Sequence, residues 1–251
     1  MEKLEHLYNW FFLDVTCANT KITNCDKFLR VAPIEKVNHY TEIEIEKNNF
    51  AFAEKNTIWE IEYFHGLKKF LRIEKSDSHP IFIFDNHNHA PVFRYYCIKK
   101  SNTTPPFLIH IDQHSDCWEN KEKLELRDNE YELENVFHFY NEKCNVGNFI
   151  PPSLKYWIIS NQIQIRSNIA LQNLTIEKNK NFILDIDLDF CLNWIDKNHL
   201  NEESVKLLKE IFDKFWKFAL CTTIATSPYF LDQQVAINII KTIFDKQNQR
   251  Y

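Results

Sequence analysis

Acidic and imidazole side chains recur at every second position in three short stretches: Asp85, His87 and His89 in "IFIFDNHNHAP", Asp112, His114 and Asp116 in "HIDQHSD", and Asp185, Asp187 and Asp189 in "LDIDLDF". A strand carried through such a stretch turns alternate side chains to one side. Two carboxylates about 5 Å apart repel by roughly 3 kcal/mol at an effective dielectric of about 20, a large fraction of what holds a domain together. No Lys or Arg lies inside any of the three motifs to neutralise them. Divalent metal is the economical counter-charge. Carboxylate and imidazole donors without cysteine favour manganese, followed by iron, cobalt or zinc, whereas magnesium and calcium rarely take imidazole. Five or six such donors exceed the needs of one ion. Two ions sharing carboxylates lower the pKa of water and polarise an electrophile, which is hydrolytic chemistry. The competing readings are a solvated strand end for "HIDQHSD" and a surface turn for "DNHNH".

The elements that must position these residues are legible in the apolar pattern. The runs at 81–89, 107–116 and 181–190 each read as a buried strand ending in acids or histidines. Between them lie long segments of helical character, the arrangement of a mainly parallel sheet covered on both faces. Residues 201–219, "NEESVKLLKEIFDKFWKFA", give the clearest helix, with Val205, Leu208, Phe212, Phe215 and Ala219 on one stripe and acids in the first turn. "LCTTIATSP" reads as a further strand, and a closing helix over about 233–245 would turn Val235, Ile239, Ile240 and Ile243 inward. In the N-terminal part "EIEIE" at 42–46 and "TIWEIEYF" at 57–64 alternate as half-buried strands do. The expected class is α/β, with residues 1–78 an N-terminal extension packed on a core of residues 79–251. Sites in such sheets form beyond the carboxyl ends of the strands.

Composition removes several alternatives. The chain has 251 residues, 44% of them hydrophobic, enough to bury one large core. Net charge is -5 with both signs interspersed, so the basic stripe expected for nucleic-acid binding is missing. With only Gly66 and Gly147, neither a phosphate-cradling loop nor a nucleophile elbow can be built. The seven cysteines are scattered without a C-x-x-C pair, and no segment reads as a secretion signal or membrane span. A reducing cytoplasm is the expected location, with neither nucleic acid nor membrane as partner.

D-x-H-x-D followed later by D-x-D resembles the ureohydrolase superfamily of arginase and agmatinase, α/β proteins with two manganese ions. The order "DNHNHA", "HIDQHSD", "LDIDLDF", "TIATSP" over about residues 80–235 looks like its peptide arginase branch, which converts arginine side chains of ribosomally made precursor peptides to ornithine and releases urea. The resemblance implies a three-layer arginase-like fold and a pair of Mn2+ ions. It implies metal ligation by His89, Asp112, His114, Asp116, Asp187 and Asp189, with Asp112 bridging and Asp116 also catalytic. His87 is the reserve histidine, and Asp185 fits the D-x-D spacing as an alternate or as a support behind the ligands. Asp85 would orient ligands or meet substrate. An arginine-containing precursor peptide would be the partner.

The sequence departs from that pattern in places. "NVGNFIPP" resembles the Gly-Asn segment of arginases, so Gly147 and Asn148 would line the pocket, but Ile150 stands where a proton-shuttling histidine is expected. His138 is a weak substitute and reads better as an ordinary histidine. Ala225 takes the place of the guanidinium-clamping glutamate, with Glu119 and Asp232 as replacements. The alternative enzyme is a deacetylase-like amide or acyl hydrolase, although its histidine tandem for a single zinc is not visible. The alternative outside catalysis is a binding protein stabilised by a closed metal site. A metallophosphatase is excluded because "DNHNH" precedes "DQHSD" instead of following it.

Overall fold

The computed structural model describes residues 2–20, 22–23, 25–74, 79–125, 132–177, 180–193 and 199–245. The first part of the chain forms α1 (Glu2–Leu7), β1 (Phe11–Leu13), β2 (Leu29–Val31), β3 (Ile34–Val37), β4 (Phe52–Lys55), β5 (Ile61–Phe64) and β6 (Phe70–Ile73). There follow β7 (Ile81–Phe84), α2 (Ala90–Ser101), β8 (Phe107–Ile111), α3 (Leu133–His138), α4 (Ile150–Lys155) and β9 (Asn161–Ile165). The chain continues through α5 (Asn168–Gln172), β10 (Phe182–Asp187), α6 (Glu202–Phe215), β11 (Thr222–Ala225) and α7 (Gln233–Phe244).

Seven strands make the central sheet in the order β3-β6-β7-β11-β10-β8-β9. The five from β7 to β9 are mutually parallel; β6 runs antiparallel to β7, and β3 parallel to β6. This is the expected α/β class, a mainly parallel sheet flanked by helices. The strands β7, β10 and β11 are buried at every residue, as unbroken apolar runs must be when helices cover both faces. Helix α6 begins where the Asn201 side chain accepts from the Ser204 amide, and it buries Val205, Leu208, Phe212 and Phe215. Helix α7 is capped by Asp232 and buries Ile239, Ile240 and Ile243, whereas Val235 is only half-buried. One hydrophobic core runs from Leu4 in α1 to Ile243 in α7.

One expected strand is not formed. The alternating "EIEIE" is not a strand: Tyr40–Glu42 is a 3-10 turn, and only Ile45 bridges to Leu67. Its alternation survives in burial, Ile43 inside and Glu44 outside, but no neighbouring strand lies alongside to complete a ladder. Within the first 78 residues, β3 and β6 extend the central sheet past β7. Among the described residues no helix is long and apolar enough to cross a membrane.

Candidate metal centre

The chain crosses the sheet from β7 to β8 to β9 and then returns through β10 to β11. With right-handed crossovers, the helices after β7 and β8 lie on one face and those after β9 and β10 on the other. Contacts agree, since α2 packs with α3 while α6 packs with both α5 and α7. The loops leaving β8 and β10 therefore part in opposite directions between neighbouring strands, opening the crevice where such sheets place ligands.

Polar residues on these strands are matched by register. Thr223, Asp185 and His110 pair side by side across β11, β10 and β8, and Asp187 sits one level nearer the carboxyl edge, beside Ala225. Asp112 follows the last residue of β8 directly. The strand does not continue through "DQHSD", as alternation alone predicts; it stops at Ile111 and a turn delivers His114 and Asp116. Asp116 adopts a left-handed backbone, φ 51°, uncommon for most residues with a side chain but several-fold enriched in Asp. Asp189 likewise leaves the strand, in a 3-10 turn of Leu188–Cys191 closed by its own amide donating to Asp187 Oδ1 at 3.1 Å. Gln113 ties the two turns together by donating its amide to the carbonyl oxygens of Asp189 and Leu192, each at 2.8 Å.

The carboxylates converge on two adjoining points. At one, Oδ2 of Asp112, Asp116 and Asp187 approach His87 Nδ1 at 3.1, 3.3 and 3.1 Å. At the other, His114 Nδ1 lies 3.4 Å from Asp112 Oδ1 and 2.9 Å from Asp189 Oδ2. Asp112 thus gives one oxygen to each, and its Oδ1 also accepts a short bond from the His114 amide. Ser227, in the loop after β11, donates to Asp187 Oδ2 at 2.5 Å.

Asp185 is occupied differently. Its Oδ1 meets Arg94 Nη2 at 2.5 Å and the Thr223 hydroxyl at 2.6 Å, and its Oδ2 meets His110 Nδ1 at 2.7 Å and His87 Nε2 at 3.1 Å. Burial opposes ionisation of Asp185, but Arg94 and His87 outweigh it and hold the carboxyl well below the usual range. Burial also opposes charge on His87, and Asp185, Asp112 and Asp116 overcome it, so its pKa is raised. His114 is pushed up to about 11 because Asp112 and Asp189 outweigh its burial. The Asp112 carboxyl is lowered, since His114 and His87 outweigh burial. Asp116 moves the other way, to about 7, through burial and the Asp112 charge. Asp189 is raised too, by burial and then by Asp187 and Asp112.

Whether this pocket suits metal ions is decided by what the chain leaves unsatisfied. Five buried aspartates face Arg94 and three imidazoles. Neither Asp189 carboxylate oxygen has an aligned hydrogen bond, despite the nearby His114, and buried His110 Nε2 lacks one as well. Four overlapping sets of donor atoms come close enough to share an ion: His87, Asp112 and Asp187; His110, Asp112 and Asp116; Asp112, His114 and Asp189; and His87, His110 and Asp185. Such oxygen and imidazole donors suit a divalent transition metal.

The structure brings Asp112, His114, Asp116, Asp187 and Asp189 together, with His87 as the histidine of the 85–89 stretch. His89 is a correction. Its ring sits against Phe70 and Phe84, its Nδ1 faces the Tyr8 hydroxyl at 3.2 Å, and its Nε2 lies 3.6 Å from Asp85. The cause is local: the strand ends at Phe84 and, after Asn86, His87–His89 form a 3-10 turn, which rotates the two histidines apart. Burial lowers His89 to about 3 and raises Asp85 to about 7. Asp85 also packs so closely on Gly66 that a Cβ there would collide with its carboxylate.

Asn148 is placed away from the cleft beside the metal cluster: its Oδ1 closes a turn by accepting from the Asn145 amide, while Gly147 does line that cleft. His138 pairs with Glu142 at 2.7 Å on the surface. Ala225 is fully buried in register with Asp187, Asp232 spends its carboxylate capping α7, and Glu119 is exposed beside Lys121. None of the three lines the cleft beside the metal cluster. Residues the sequence reading passed over are His110, Arg94, Thr223 and Ser227. His110 carried a signal, being two positions before Asp112 in the same strand phase; Arg94 carried none.

Beside the cluster opens a cleft of about 140 Å³ lined by His114, Asp116, Trp118, Arg166, Asp187 and Phe230, among others. The Phe230 ring lies 4.5 Å from that of His114 and steadies it at the rim.

No family model matches the chain, and no curated protein matches it. Among solved structures, a hypothetical agmatinase from Burkholderia thailandensis is similar at 13% identity with a TM-score of 0.43. The match covers 65% of this chain and 56% of that one, and a shared fold does not by itself transfer an activity.

Proposed function

We propose that the chain is a binuclear manganese ureohydrolase that converts arginine side chains of a ribosomally made peptide to ornithine and urea. The observation that carries this reading is Asp112, which offers Oδ2 to the cluster around His87 and Oδ1 to the cluster around His114, the disposition of a carboxylate shared by two ions. His87, Asp116 and Asp187 would complete one ligand set, and His114 and Asp189 the other. When bound, two such ions supply Lewis acidity and a water of lowered pKa.

The chain's own groups do the rest. Asp116 would hold a proton of the attacking water at its carboxylate. Ser227 and Gln113 fix Asp187 and the Asp189 turn, and Arg94, Thr223 and His110 hold Asp185 behind them. Water adds to the guanidino carbon, the bond from that carbon to the ornithine nitrogen breaks, and the leaving amine takes a proton. The cleft is smaller than the roughly 300–1,000 Å³ of pockets that engulf whole small molecules. It therefore suits one side chain entering from a larger substrate, and the exposed Trp118 ring at its rim gives that substrate a surface.

The test is mass spectrometry and urea assay of a panel of synthetic arginine peptides incubated with the chain and Mn2+, with free arginine and agmatine as comparators. Loss of CH2N2, about 42 Da, from a peptide arginine is expected. Unchanged peptides in the presence of protein that has bound two equivalents of manganese would refute the reading.

A further inference from the structure

A permanent positive charge beside a cleft that receives a cation needs an explanation in the substrate. Arg166 directly follows β9, on the same carboxyl edge as Asp112, and lines the cleft with Asp116 and Asp187. Its Nε and Nη2 donate to the Gln113 carbonyl oxygen at 3.0 and 2.8 Å. Those two bonds set the guanidinium plane against the residue next to Asp112. They leave Nη1 unengaged, and among the described residues Arg166 forms no ion pair. A fixed, unpaired guanidinium fork at a solvent-open rim is matched to a carboxylate, which it can meet with two parallel hydrogen bonds. The buried aspartates draw a substrate guanidinium inward, so a carboxylate meeting Arg166 must belong to a part of the substrate further out.

We propose that Arg166 reads a carboxylate carried next to the arginine that is cleaved, and so sets substrate preference. The inference rests on the arginine-peptide reading above. The carboxylate has two sources: the side chain of an acidic neighbour, or the α-carboxylate of an arginine that ends the peptide.

The test is calorimetric binding of two pairs of synthetic pentapeptides, each with one arginine, to the full chain with Mn2+ added. In one pair the arginine is central and its neighbour is Glu or Gln. In the other the arginine is last and the C-terminus is free or amidated. One pair is expected to show about 5- to 10-fold tighter binding of the carboxylate-bearing member, eroded by salt, and that pair names the source. Arg166→Gln should bring the ratio close to one. Arg166→Lys, which keeps the charge without the fork, should retain a reduced preference and covers the case in which the Gln variant melts early. Arg166→Glu should prefer a Lys neighbour. Equal affinities in both pairs, a preference that Arg166→Gln preserves, or no measurable binding of any peptide would overturn the proposal. A carboxylate preference without urea release leaves the role of Arg166 standing and sinks the hydrolase reading alone.

Discussion

Two clusters of buried charge lie at opposite ends of the central sheet, and they are balanced in opposite ways. At the amino end of β7, fully buried Arg72 reaches Glu5 at 2.6 Å and Glu74 at 2.8 Å, and Lys100 and Lys36 add contacts to Glu74 at 2.9 and 3.2 Å. There the chain supplies its own cations in excess, and the cluster ties α1, β3, β6 and α2 together. At the carboxyl end five aspartates crowd one crevice, where among the described residues Arg94 is the one permanent cation in contact, and one of the five, Asp189, keeps two buried oxygens without an aligned bond. A charge cluster that serves stability carries its own counter-charges. One that stays short of cations is built around something that arrives from outside.

The largest expected contrast comes from cutting each cluster once. Asp112→Asn keeps the shape and the acceptor for the His114 amide but removes the shared charge. Bound manganese and urea release should collapse, the latter by about 10³-fold or more, while the melting temperature in chelator stays level or rises. Arg72→Met should do the reverse, costing about 3 kcal/mol by stranding its partners and leaving metal stoichiometry intact. Denaturant titration and elemental analysis of both variants check the pair. If Asp112→Asn unfolds the chain as Arg72→Met does, the carboxyl-end cluster is structural.

The two histidines of one 3-10 turn sharpen the contrast within the site. His87→Gln should weaken manganese binding by well over about 100-fold, beyond the roughly 10- to 100-fold that loss of a merely supporting partner usually costs. His89→Gln should leave stoichiometry and affinity unchanged and cost about 1 kcal/mol for the lost Tyr8 contact. Metal titration of the two variants decides it, and an equal loss in both would restore His89 as a ligand.

A smaller effect separates the clusters by pH. Burial opposes ionisation of Glu74, but bonds from Lys100 and Arg72 prevail and lower it from 4.5 to about 2. A carboxyl depressed in the folded state contributes stability that is fully present above its unfolded value and is lost as pH falls through the folded one. The window is therefore from about pH 4.5 down to about pH 2. Urea midpoints measured at several pH values across it should fall for the natural chain and fall less steeply for Glu74→Gln, while the depressed Asp112 and Asp185 keep part of the slope in both.

How much of this was legible in the sequence follows from the range of the interactions. The strands β7, β8, β10 and β11 and the helices α6 and α7 announce themselves because complete burial imposes apolar runs and one-sided stripes on contiguous residues. The acidic motifs were equally plain, since like charges at such density need a reason. Reading their geometry from alternation went wrong where the strand stopped: His87 and His89 share a phase only if no turn intervenes, and the turn at Asn86 is a three-residue event with no distinctive signal. Strands β3 and β6 escaped notice because they are four residues each and carry Glu, Lys or Arg. Arg94 could not be foreseen at all, for its meeting with Asp185 joins residues 91 positions apart.

The finest contrast is between the backbone and the side chain of one residue. Ser227 has φ 46°, in the left-handed region, and it donates the 2.5 Å bond to Asp187. Glycine adopts that backbone without the steric penalty that a Cβ brings, a difference of about 1 kcal/mol. Ser227→Gly and Ser227→Ala both remove the hydroxyl, so any shared weakening of manganese affinity measures the bond to Asp187. The difference between their melting temperatures measures the strain, with the glycine variant expected to melt higher. Equal melting would mean that the loop after β11 relaxes when the hydroxyl goes, and that Asp187 holds Ser227 in its left-handed turn instead of the reverse.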